Sequence, residues 1–164
     1  MSRPIIKIEK QPIDRFFEIV ALIGLIILII YPIMHYQDLP EKIPTHFNGS
    51  GEPDDYQKKA IIWILTIVGL FTYGLFTYIK KIPHKFNYTI KITEENAKTQ
   101  YTIALRMINA LNAIIMSTFA YISYSSIQIA LKKATSLGSG FTPILLILVF
   151  GTIGYGLYQA SKNA

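Results

Sequence analysis

The sequence predicts an all-α membrane protein with four transmembrane helices, a small cytoplasmic β-ribbon and an ordered outward loop between helices one and two. Four near-continuous apolar blocks carry this prediction. Phe16–Tyr36 contains one charge, Glu18, and Ala60–Ile79, Met107–Leu131 and Phe141–Ala160 contain none. A helix crossing a ~30 Å hydrocarbon core needs about 20 residues, and each block reaches that length. Buried helices of a soluble bundle would instead show polar stripes at helical spacing. Helix-breaking residues also fall at block ends: Pro83 after the second, and Gly138-Ser-Gly140 before the fourth.

The elements follow in chain order. The spans are expected at about residues 16–36, 60–80, 103–131 and 141–160, in a single domain of residues 1–164 with a loop at 37–59. The first block reads as a retained span, because a polar stretch precedes it and no small-x-small cleavage site follows. Pro143 sits in the first turn of span four, where a missing N–H is tolerated. Four spans place both termini on one side. That side carries Arg3, Lys7, Lys10, Arg15, Lys80, Lys81, Lys85, Lys91, Lys98 and Lys162, against Lys42, Lys58, Lys59, Lys132 and Lys133 on the other. The excess of basic residues predicts cytoplasmic termini and an outward loop.

On the cytoplasmic side, Phe86, Tyr88, Ile90 and Ile92 alternate with polar residues, as Ile6 and Ile8 do near the N-terminus. That period of two predicts a ribbon between these segments. Thr93 is expected to cap the third helix, with Glu94 and Glu95 complementing its dipole. A helix from Glu94 to Leu131 is about 57 Å long and projects beyond the membrane.

Span three is the polar one. Arg106, Asn109 and Asn112 recur at spacings of three and share a face. Charges within a bilayer often mark function, but arginine near an interface can snorkel and asparagines can bond between helices. Interhelical bonding is the favoured reading here, ahead of a transport path.

The loop Leu39–Tyr56 holds the densest chemistry. Pro40 and Pro44 impose extended backbone on their predecessors. Ile43, Thr45 and Phe47 then face one way, and His46 and Asn48 the other. Asn48-Gly49 signals a tight turn, after which Glu52, Pro53, Asp54 and Asp55 lead back to span two. His46, Asn48, Glu52 and Asp54 are therefore the candidate partner-binding residues. Three readings stand: a metal site, acid–base catalysis at His46, or a folded cap presenting a surface. Zinc sites gather more imidazole or thiolate than this loop offers, and the sequence has no cysteine. The carboxylates lack calcium-loop spacing, and no substrate pocket is legible. The cap is favoured, with no catalytic residue, metal or cofactor expected. The net charge of +6 sits at helix ends rather than in a nucleic-acid motif, so the bilayer is the expected partner and nucleic acid is not.

The pattern Leu39-Pro-x-x-Ile-Pro-Thr-His-Phe-Asn-x-x-Gly-Glu-Pro-Asp, set just after a first membrane helix, resembles the SdpI-like bacterial membrane protein family, whose shared segment is domain of unknown function 1648. His84-Lys-Phe-Asn-Tyr, Ile92-Thr-Glu-Glu-Asn and Arg106-Met are also similar to smaller members. The chain departs at Asp55, Gln57 and Lys58, where members commonly carry small residues. The resemblance implies a multi-pass protein of the bacterial cytoplasmic (inner) membrane with the loop outward and no established enzyme activity. The expected function is non-enzymatic: the loop recognises or caps a partner, as in immunity to a peptide toxin. The alternatives are an accessory subunit partnered with larger membrane protein subunits, and a small membrane enzyme or transporter built around His46, Glu52 and Arg106.

Overall fold

A computed structural model describes residues 3–164. It contains helix α1 (Pro12–His35), strands β1 (Lys42–Phe47) and β2 (Pro53–Lys58), and helices α2 (Ile62–Ile79), α3 (Ala97–Ala130) and α4 (Phe141–Lys162). All four helices are long and apolar enough to cross a membrane. The protein is thus an all-α membrane protein with one small antiparallel ribbon.

Packing centres on α3, which lies against each of the other helices and against β1. The closest pair is α1 and α3. A methyl group on Gly24 would meet the Met116 backbone at 2.8 Å, so glycine is what lets the two backbones approach. Around this point Ala21, Leu25, Ala113 and Met116 form a buried apolar cluster. By contrast, α4 has α3 as its only substantial partner, and Gly156 is its only buried residue.

The ribbon is not where the alternation at 86–92 predicted it. It lies in the loop between α1 and α2, and neither residues 5–8 nor 86–92 form a strand. The reason is competition from side chains for backbone acceptors. Arg3 Nη1 donates to the carbonyls of His84 (3.3 Å) and Phe86 (2.5 Å), and Asn96 Nδ2 donates to the Lys91 carbonyl at 3.1 Å. Side chains thereby take acceptors that a ladder would need. Arg3 also lies over the Tyr88 ring, 5.4 Å from its centroid. Burial pushes the Tyr88 phenol further above its ordinary range, so it stays neutral.

Helix α3 begins regularly at Ala97, not Glu94. Thr93 nevertheless works at its entry. Its Oγ1 accepts from the Asn96 N–H at 3.3 Å, and Asn96 Oδ1 accepts from the Thr93 N–H at 2.9 Å. This is the reciprocal logic of a capping box, with asparagine in place of glutamate.

Candidate functional site

The β1–β2 hairpin caps one end of the bundle. Its turn is built by Asn48. The Asn48 Oδ1 accepts from the N–H groups of Ser50 (2.9 Å) and Glu52 (3.0 Å), and the Asn48 N–H donates to the Glu52 carbonyl at 2.9 Å. Such side-chain closure is why asparagine is favoured in turns. Asn48 Nδ2 also reaches the Glu52 carboxylate at 3.4 Å. Two of the candidate binding residues are therefore engaged in shaping the loop.

His46 and Asp54 differ from them. His46 Nδ1 lies 2.5 Å from Asp54 Oδ1, and their side chains are 69% and 43% exposed. This pair stands in solvent above the bundle. Register shifts on either side of His46 break the ladder, so the simple alternation expected of residues 43–47 does not hold: Ile43 and Pro44 are both fully buried. Such bulges re-aim side chains. Asp55, next along β2, accepts from the Gln57 side-chain amide (2.9 Å), the Tyr56 N–H (2.9 Å) and Thr45 Oγ1 (3.3 Å). The Gln57 bond, with help from Tyr56, Thr45 and the nearby His46, holds the Asp55 carboxyl below its ordinary range.

The underside of the hairpin is apolar and anchored. Leu39 and Ile43 are buried against Ile62 of α2 and Ile127 of α3, with Tyr36 and Trp63 packed alongside. Lys59 Nζ ties the base by donating to the Tyr36 (3.2 Å) and Leu39 (3.1 Å) carbonyls. The tip is docked as well. The Leu137 N–H, in the α3–α4 connection, donates to the Gly51 carbonyl at 2.7 Å, and Tyr121 Oη donates to the Leu137 carbonyl at 2.8 Å. Gly51 has φ +80°, and a Cβ there would meet the Gly138 carbonyl oxygen at 2.8 Å. Conformation and space both require glycine at this position.

Between these anchors is a groove of about 430 Å³. Pro44, Thr45, His46 and Phe47 form its upper wall, Leu65 and Val68 of α2 and Ile122 of α3 its apolar floor, and Phe141 and Thr142 of α4 its far side. Ser123 and Ser126 add hydroxyls to the wall. Ser123 is 2% exposed and its Oγ has no hydrogen-bond partner. Span three's serines were visible in the sequence, but nothing there placed one under the loop.

The intramembrane polar residues lie toward the other end, away from the hairpin, and do not join the groove. Lys80 Nζ donates to Glu18 Oε1 (2.8 Å) and to Asn109 Oδ1 (2.7 Å), while Lys10 reaches Glu18 Oε2 at 2.7 Å. Arg106 Nε donates to Asp14 Oδ1 at 3.4 Å, and its Nη2 to the Gln11 side chain at 3.1 Å. Asn109 and Arg106 thus bond between helices. Asn112 is 2% exposed, and its Oδ1 lacks a partner. No group of three or more His, Asp or Glu side chains positioned to hold a metal occurs among the described residues.

Residues 23–71, from mid-α1 through the hairpin to mid-α2, match a family described as a domain of unknown function (DUF1648). A protein of Archaeoglobus fulgidus described as uncharacterized is 29% identical over 145 residues, covering 79% of this chain and 75% of that protein. No solved structure matches the chain. The class defined by fold and comparison is therefore a multi-pass, membrane-protein-like chain with a segment similar to a domain of unknown function, and the matched segment is the one that builds the hairpin and much of its groove.

Proposed function

We propose that this chain is a non-enzymatic, SdpI-like protein of the cytoplasmic membrane whose hairpin groove binds an amphipathic peptide arriving from outside the cell. The observation that carries the reading is the groove itself. An apolar floor of α2 and α3 side chains lies beneath a polar rim, with the unpartnered Ser123 hydroxyl in its wall. A pocket of this kind takes apolar groups and fixes them with a few polar contacts. The exposed Asp54 carboxylate beside His46 favours a cationic partner. Immunity to a peptide toxin is the function this implies, by sequestering the toxin or occupying its target. No concentrated set of nucleophile, base and oxyanion donors accompanies the groove, which is why binding is preferred to catalysis.

The test is survival of a sensitive host. Cells expressing the chain are expected to outgrow cells lacking it when challenged with a secreted amphipathic peptide. Replacing Val68 with Trp, which fills the groove floor, is expected to remove the advantage while the protein still accumulates in the membrane. Unchanged survival with and without the chain sinks the immunity reading.

A second reading, an accessory subunit, is supported by α4. Its lipid-facing side is almost wholly uncovered, with Ile147 70% and Phe150 66% exposed. Stoichiometric larger subunits after mild-detergent purification support that reading, and a lone monomer counts against it.

A further inference from the structure

Because α4 packs mainly on α3, it leaves a crevice between itself and α1. Two hollows make up this crevice, and they adjoin at Phe17 and Ala110, which line both. The larger, about 570 Å³, runs toward the hairpin end and is almost entirely apolar. The smaller, about 450 Å³, opens toward the end that carries the chain termini and is lined by Arg106, Thr152, Tyr155 and Gln159. A cation with hydroxyl and amide donors at one end, and hydrocarbon beyond it, is the chemistry of an amphiphile with an anionic head.

We propose that this crevice holds one anionic phospholipid, its phosphate on Arg106 and an acyl chain along the apolar hollow. Arg106 uses its Nε for Asp14 and one Nη2 hydrogen for Gln11. Guanidinium carries five N–H donors, so donors remain for a phosphate, which arginine binds in planar, paired fashion. At the neighbouring helix ends Lys10 and Lys80 are paired with Glu18, so Arg106 is the cation that the headgroup meets, and cationic hollows between membrane helices are where anionic headgroups bind. Length agrees. From Arg106 to Ser117, both in the crevice walls, α3 rises about 16 Å, close to half of a ~30 Å hydrocarbon core. One acyl chain, lying in one leaflet, spans that distance. The remaining polar lining serves the same end: Gln159 and Tyr155 are hydrogen-bonded to each other at 2.9 Å, as a single donor pair beside the guanidinium. The apolar hollow adjoins the hairpin groove at Leu137 and Phe141, which line both, but the headgroup end at Arg106 lies toward the opposite end of the bundle and stands whether or not that groove binds a peptide.

The experiment is native mass spectrometry of the full-length protein, delipidated in mild detergent and titrated with phosphatidylglycerol or phosphatidylethanolamine. A one-to-one phosphatidylglycerol adduct is expected at concentrations where phosphatidylethanolamine leaves the protein bare. Arg106→Gln is expected to lower that occupancy about fivefold, the weight of one cation beside an anionic headgroup. Since Arg106 also holds Asp14, Thr152→Trp provides an independent variant that fills the headgroup end and leaves the Arg106 contacts intact, and it is expected to lower occupancy at least as much. Equal binding of the two lipids, or parental occupancy in Thr152→Trp, overturns the proposal. So does a dimer that forms in place of the lipid adduct, because a second copy would then be the occupant.

Discussion

The two ends of the bundle are closed by different physics. At the hairpin end, Leu39 and Ile43 bury apolar surface against Ile62 and Ile127, and backbone groups of Gly51 and Leu137 pair across the cap. At the end carrying the chain termini, ionic side chains do the joining: Glu18 of α1 accepts from Lys80 after α2, and Lys80 in turn reaches Asn109 of α3. The Arg106–Asp14 pair repeats the arrangement between α3 and α1. Apolar closure depends on shape and ignores salt, whereas ionic closure depends on having both partners present. A surface fixed by the first kind of contact can carry exposed groups, such as His46 and Asp54, that hold nothing together. That freedom is what a recognition surface needs.

The largest effect is expected at Ile43. Replacing this fully buried side chain with alanine removes the centre of the hairpin's anchor and costs about 2–5 kcal/mol, as large-to-small changes in packed sites do. Limited proteolysis is expected to cut residues 42–58 in Ile43→Ala well before the helices melt. Simultaneous loss of hairpin and helices would mean that the two ends are not separable, and the contrast between them would fall.

Next in size is Glu18→Ala, which leaves Lys80, whose side chain is 15% exposed, with only the neutral Asn109 amide as partner. A charged group left without its partner at such a site costs about 1–3 kcal/mol. The hairpin is expected to keep its protease resistance while the thermal midpoint in detergent drops. Raised salt should mimic only the loss of the Lys10–Glu18 contact, because Lys10 is 60% exposed and so readily screened. A thermal midpoint equal to that of the parent would show that the charge network contributes nothing to closure.

These two ends also differ in how far they can be read from the chain. The helices were legible because lipid demands long uncharged runs, and the bend at Asn48-Gly49 because that dipeptide suits a tight turn. Ribbon placement was not: alternation at Phe86–Ile92 was genuine, but Arg3, remote in sequence, takes the Phe86 carbonyl and that of His84 just before it. The Glu18–Lys80 pair joins residues 62 apart, and no local pattern reports such a meeting. Asp14 could have been noticed, since an acidic residue shortly after Pro12 suits the first turn of a helix; its bond to Arg106 could not. Of the four candidate loop residues, His46 pairs with Asp54 and Asn48 with Glu52, and sequence could not separate Asn48, spent on the turn, from His46 and Asp54, which remain at the surface.

That separation predicts a smaller effect, one confined to function. His46→Ala, or Asp54→Asn, is expected to change stability by no more than about 1 kcal/mol, the usual range of an exposed ion pair. Protection of a sensitive host should fall in both variants if the rim meets a cationic peptide. Unaltered protection together with unaltered stability would leave the pair without a role in recognition, and the groove floor alone would then carry binding.

The smallest effect is a pH response of the outer strand. Asp55 has its carboxyl pulled below the ordinary aspartate value by the Gln57 amide first, with the Tyr56 N–H and Thr45 hydroxyl adding to it. A carboxyl whose pKa is lower when folded stabilises the fold in its ionised form. That contribution is complete above the unfolded value of about 3.9 and is lost as pH falls through the lower folded value. The Asp55 contribution is therefore expected to be constant from neutrality to about 5 and to fall only in stronger acid, seen as faster amide exchange at Tyr56. Asp55→Asn, which cannot titrate, is expected to flatten the response, and Gln57→Ala to shift its onset toward higher pH. A midpoint unmoved by Gln57→Ala would assign the lowered pKa to the backbone and Thr45 instead. The apolar anchor at Ile43 carries no charge, so this acid response should stay within β2 and leave the cap seated on the bundle.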